Sequence, residues 1–185
     1  MNKYTKQWSA SELFFLTEIC SFDGDGVSVN NQMAAGVATH GPYVLLSAGK
    51  YQGCIEYSSD NAFFPAGSYD VGVFDIPLYL HQGLLPAKNG RGILSFEFSV
   101  PEPCLKQVEI RTLNNGSGHM LVIHTISIEY LDELSPDDHL SEYVGNLLQS
   151  KGIKQPIPIK TFEQYDDFIE KYRRQDFGGV GEKEE

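Results

Sequence analysis

The residues of this chain that could do chemistry are few, and their spacing decides little. Asp23-Gly24-Asp25-Gly26 sets two carboxylates two residues apart in a glycine-rich stretch. Such a loop can offer oxygen ligands to calcium, a hard cation, although the rest of an EF-hand loop is missing. Asp and Gly are equally the residues of an ordinary turn. The five histidines are His40, His81, His119, His124 and His139. No two stand one apart and none is followed by a suitably spaced Glu and His, so a three-histidine metal site would have to be assembled in space. His124 lies among apolar neighbours and reads as a satisfied structural histidine. No GxSxG elbow, P-loop or GxGxxG occurs. The three cysteines, Cys20, Cys54 and Cys104, are odd in number and form no CxxC, which argues against a disulfide framework and a thiolate zinc site. The expectation is a protein that is not an enzyme, with no catalytic residues, whose one cofactor candidate is calcium at Asp23 and Asp25.

Composition narrows the partners. A formal net charge of -11 repels nucleic acid and anionic lipid. The apolar run at 13–16 is too short for a signal-peptide core, and no stretch approaches the ~18 apolar residues of a membrane span. The reading is therefore cytoplasmic, which leaves Asn115-Gly116-Ser117, a glycosylation pattern, without consequence.

The elements that must position any site are strands. Aromatic residues make up 12% of the chain, 10 Tyr and 11 Phe against one Trp, and these types suit pleated surfaces. Short runs rich in Val, Ile, Phe and Tyr, separated by Gly, Pro, Asn or Asp, are expected as strands at 13–19, 27–30, 43–47, 51–58, 68–75, 93–100, 106–113 and 120–130. In Val108-Glu109-Ile110-Arg111 apolar and charged residues alternate. The run from Leu121 to Ile128 is apolar on much of both faces, as a central strand must be. The fold class is all-β, a two-sheet antiparallel sandwich of jelly-roll type over residues 1–131, with a short C-terminal helical extension.

Residues 132–185 read as that extension, a linker and a disordered tail. Ser135-Pro136 opens one helix, carrying Leu140, Tyr143, Val144, Leu147 and Leu148, and Gly152 ends it. Pro156 and Pro158 keep the linker extended. Thr161, with Gln164 completing a capping box, opens a second helix whose stripe is Phe162, Tyr165, Phe168, Ile169 and Tyr172.

One stretch resembles a known family. Gly41-Pro42-Tyr43, then Leu46, Ala48-Gly49 and Tyr51, is similar to the "GPY…L.AG.Y" signature of β-sandwich modules beside bacterial glycosyltransferases and sugar methyltransferases of surface-polysaccharide synthesis. Val108 to Gly118, followed by Ile123, Ile126, Ile128 and Glu129, resembles the later part of those modules. The resemblance implies the sandwich and a non-catalytic carbohydrate-binding role beside a glycan-modifying enzyme. Sugar recognition needs aromatic platforms and hydroxyl partners. Phe64, Tyr69 and Tyr79 are the candidate platforms, and Asp70, Arg111, Asn114 and Asn115 the polar partners. The alternative is a scaffold domain that docks a protein partner, or a second copy of itself, through the Thr161–Tyr172 helix. A weaker third is a metal-dependent enzyme of the cupin kind.

Overall fold

The computed structural model describes residues 5–74, 78–100 and 107–133. The segments expected as C-terminal helices and linker, and Cys104, lie outside them. Among the described residues twelve strands run in chain order: β1 (Thr5–Ser9), β2 (Phe14–Phe15), β3 (Cys20–Phe22), β4 (Val27–Val29), β5 (Ala35–His40), β6 (Val44–Leu45), β7 (Gly49–Asn61), β8 (Gly67–Val73), β9 (Leu78–Leu85), β10 (Lys88–Val100), β11 (Gln107–Asn115) and β12 (Leu121–Asp132). They form two antiparallel sheets. The first has the order β10-β7-β12-β4-β3, with β1 also pairing β12; the second has the order β2-β5-β11-β8-β9, with β6 also pairing β11.

Alternation builds the core. Along β7 every second residue is buried, so Tyr51, Ile55 and Tyr57 face the opposite sheet while Glu56 and Ser58 face outward. Val108 and Ile110 of β11 meet them from the second sheet, with Glu109 and Arg111 turned away. Ile55, Val71, Leu85, Val100, Ile110, Leu121, Ile123, Ile126 and Ile128 are all fully buried. Each such side chain contributes about 1.5–3 kcal/mol before ordering costs. β12 is central, as its two-faced apolarity requires.

The strands at 27–29, 49–61, 67–73, 88–100, 107–115 and 121–132 fall where the runs of Val, Ile and Tyr put them. Others do not. The run at 13–19 pairs only through Phe14 and Phe15. Beyond them the chain turns, with the Ile19 and Cys20 N–H groups both donating to the Leu16 carbonyl. β1, β3, β5 and β9 have no counterpart in the pattern. β1 buries only Trp8 of its five residues. β5 begins on small residues, Ala35 and Gly36, and β9 carries Gln82 and Gly83 at the edge of its sheet. The turns at Ala48-Gly49 and Asn114–Gly118 are tight, as expected, but each carries the chain from one sheet to the other rather than closing a hairpin.

Candidate functional site

The outer face of the second sheet gathers the best-placed polar and aromatic side chains. Arg111 on β11 stands directly across from Asp70 on β8. Its Nε donates to Asp70 Oδ1 at 2.8 Å and its Nη2 to Oδ2 at 3.0 Å. The guanidinium also lies over the Tyr79 ring, 5.3 Å from its centroid. The Asp70 hydrogen bonds, followed by Tyr79, push the Arg111 pKa above its ordinary value. A planar, doubly bonded pair of this kind is fixed in orientation.

Beside it runs a row of rings. Phe14 on β2 stacks on His40 of β5, with centroids 5.5 Å apart. His40 Nδ1 is 2.7 Å from the Tyr43 hydroxyl, and Tyr43 meets Phe74 edge-on at 5.2 Å. Phe14 and Phe74 remain 55% and 49% exposed, so two ring faces are open to solvent. Burial, reinforced by the charge and hydrogen bond of Glu109, raises the Tyr43 pKa, and Arg111 opposes it. The strand pairing joins the aromatic row to the arginine group on one surface: Phe14 pairs with His40, and Thr39 with Thr112, so His40 follows beside Arg111.

Gly41 makes the row possible. Its φ is +94°, a conformation that favours glycine, and the Phe14 ring lies in van der Waals contact with the place a Cβ would take. The Gly41 carbonyl accepts from the Ile110 N–H, which pins this turn to β11.

The expected sugar-binding residues divide among three places. Asp70, Tyr79 and Arg111 come together on this face. Tyr69 does not join them: it is 4% exposed, its ring lies 4.4 Å from Phe96 in the core, and its hydroxyl meets His81 at 3.0 Å. Tyr69 neighbours Asp70 in sequence, and alternation sends the two to opposite faces. The remaining three sit at the loop end of the sandwich. Asn114 is buried, and its Nδ2 donates to the Gln32 and Ala34 carbonyls; Asn115 Nδ2 donates to the Pro65 carbonyl. Both hold loops together; Asn114 is closed off from solvent, whereas Asn115 stays exposed. Asn61 Oδ1, accepting from the Phe63 and Phe64 N–H groups, fixes the neighbouring loop. Phe64 is 66% exposed there, beside the more open Phe63.

Asp23 and Asp25 serve different ends. Asp23 accepts from Ser28 Oγ and from the Asp25 and Gly26 N–H groups, which lower its pKa, Ser28 foremost. Asp25 instead reaches toward His124 and Arg91. Among the described residues no group of three or more His, Cys, Asp or Glu is arranged to hold a metal ion. The geometry of 23–26 is that of a side-chain-capped turn between β3 and β4.

Sequence reading missed Phe14, His40, Tyr43 and Phe74. The signal was the aromatic and imidazole pair flanking Gly41-Pro42, which reads equally well as the start of a buried strand.

No family model matches the chain, and no curated protein does. Solved structures align with it at low identity. A CBM36 domain of a multidomain xylanase from the hindgut metagenome of Trinervitermes trinervoides aligns at 8% identity over 68% of this chain and 96% of its own, with a TM-score of 0.49. A carbohydrate-binding module CBM36 in complex with calcium and xylotriose aligns at 12% identity, over 66% of this chain and 98% of its own, TM-score 0.45. A carbohydrate-binding module from Cellvibrio mixtus lichenase 5A in complex with cellotriose aligns at 12% identity, over 68% and 97%, TM-score 0.41.

Proposed function

We propose that the outer face of the second sheet binds carbohydrate. The observation that carries this is the contiguity of the Phe14–His40–Tyr43–Phe74 row with the Asp70–Arg111–Tyr79 group. An exposed ring face takes the C–H face of a sugar, and the fixed carboxylate and guanidinium take its hydroxyls. Asp70 offsets the charge of Arg111 and Glu109 adds a carboxylate, so the surface suits a neutral sugar rather than an acidic one. A bacterial surface glycan, bound beside a glycan-modifying enzyme, is the setting that the GPY and AGKY stretches imply.

The test is a glycan array on the full chain, followed by titration calorimetry with the sugars it identifies and with cellotriose and xylotriose. Each titration is run with calcium and with a chelator, which also tests Asp23 and Asp25 as a calcium loop. Phe14→Ala and Phe74→Ala should each weaken binding about tenfold, the equivalent of ~1.4 kcal/mol. An array with no bound glycan would refute the reading. So would a Phe14→Ala/Phe74→Ala double variant that binds as well as the parent, and loss of binding in Phe63→Ala/Phe64→Ala instead would move the site to the loop end.

A further inference from the structure

The other sheet carries an arrangement of a different kind on its outer face. β12 has a bulge at His124: Ile123 pairs with Tyr57 and Thr125 with Glu56, and His124 is the extra residue between them. A bulge re-aims a side chain, and bulges are over-represented next to active sites. The re-aimed imidazole is 5% exposed. Its Nε2 is 2.7 Å from Ser58 Oγ on β7. Its Nδ1 is 3.0 Å from the backbone carbonyl oxygen of Asp25 and 3.4 Å from the carboxylate of the same residue.

These partners fix the proton. A carbonyl oxygen only accepts, so Nδ1 carries hydrogen and donates to it. In the neutral ring Nε2 is then bare and accepts from the Ser58 hydroxyl. That is the tautomer and the direction a general base needs to activate a serine. The 23–26 turn is laid directly on the ring. A Cβ on Gly26 would stand 3.1 Å from His124 Nδ1 and 2.8 Å from the Ile123 carbonyl oxygen, so glycine permits the approach that orients the imidazole.

A cation completes the group. Arg91 on β10 is directly across from Ser58 in the strand register. Its Nε donates to Glu56 at 2.7 Å, and its Nη1 is 3.9 Å from Asp25 Oδ2. Its charge is held by Glu56 and Asp25, and its strand position opposite Ser58 lets a guanidinium released from them reach an oxyanion formed there.

We propose that Ser58, His124 and Asp25 act as nucleophile, general base and orienting group in the cleavage of small carboxylic esters. Ser58 Oγ bonds to the acyl carbon as its proton passes to His124 Nε2. The bond from that carbon to the alcohol oxygen breaks, and the alcohol leaves with the proton from Nε2. Water then adds to the acyl-serine, giving a proton to Nε2; the carboxylic acid leaves, and Ser58 Oγ recovers the proton. The sum is ester plus water to acid plus alcohol, with no other reactant. Ser58 is half-buried on the outer face of its sheet, so the substrate that fits is a short acyl group standing out from a larger scaffold. Glu56 and the net charge of -11 turn away anionic esters.

The full chain is treated with a fluorophosphonate probe, and the labelled residue is located by peptide mass spectrometry. Hydrolysis of p-nitrophenyl acetate is followed in parallel for the parent, Ser58→Ala and His124→Gln. The parent should carry the label on Ser58. Hydrolysis should fall about 100-fold in either variant, in the range general base catalysis supplies. His124 is buried and its replacement can unfold the chain, so Ser58→Ala decides the matter once its urea midpoint is shown to equal the parent's. Absence of label on Ser58 at probe excess overturns the proposal, as does hydrolysis by a folded Ser58→Ala variant at the parent rate.

Discussion

Replacing Arg111 by Met removes one partner of the ion pair on the second sheet and keeps most of the aliphatic stem. Asp70 then holds a carboxylate whose side chain is 11% exposed, with its partner gone; Arg111 itself is 26% exposed. Stranding a charge in a fully buried pair costs about 3–5 kcal/mol, whereas an exposed pair is worth about 0–1. This pair is in between, so the expected loss is about 2 kcal/mol. With a urea m-value of about 1–3 kcal/mol/M for a domain of this size, the unfolding midpoint should fall by about 1 M at unchanged slope. The companion variant tests the cause. Asp70→Asn/Arg111→Met carries no charge at either position, and its midpoint should recover to within about 1 kcal/mol of the parent. The reasoning is refuted if Arg111→Met unfolds at the parent midpoint. It is refuted equally if the double variant is no more stable than the single one, since the loss would then come from packing and not from the stranded carboxylate.

Three further outcomes follow from the core. Thr39 and Thr112 are both fully buried with their hydroxyls 2.6 Å apart, so Thr39→Val should cost about 1–3 kcal/mol in urea unfolding, and Thr39→Val/Thr112→Val should regain most of it. A Cβ on Gly53 would meet the Phe96 ring at 2.4 Å, and that ring is already stacked on His81, so Gly53→Ala should lower thermal stability by about 1–3 kcal/mol. Burial pushes the Cys20 thiol up to about 11, while Cys54 is only half-buried. Peptide mapping of native protein alkylated at pH 8 should therefore show Cys54 modified well before Cys20, whose thiolate fraction is roughly one in a thousand there. The folded-state value lies above the ordinary 9.0, so the stability tied to this thiol is complete below pH 9 and is lost as pH rises toward 11. Equal alkylation rates for the two thiols would contradict this burial.

How much of this could be read in advance depends on the range of the interaction. The sandwich was legible because alternation is local: Val108-Glu109-Ile110-Arg111 states its own two faces, and Leu121 to Ile128 states that it has two covered ones. Asp70 and Arg111 were legible as polar residues on strands, but their pairing came only from the register of β8 and β11. Tyr69 was not separable from Tyr79 as a platform, because the face a strand residue takes depends on the register of its pairing, and β9 carries a bulge opposite Val71 and Gly72. Asn114 and Asn115 carry the polarity of ligand groups, and only the convergence of three loops shows them spent on carbonyls.

The sequence by itself determined the class of fold, the central place of β12 and the net charge of -11, which repels polyanions. Each of these depends on composition or on neighbours a few residues apart. Only the tertiary structure decided the surfaces. Phe14 meets His40 across 26 residues of chain, Arg111 meets Asp70 across 41, and His124 meets Ser58 across 66 and Asp25 across 99. Contacts of that span arise from strand order and from one bulged residue. Neither leaves a periodic trace, because register is a property of two strands together.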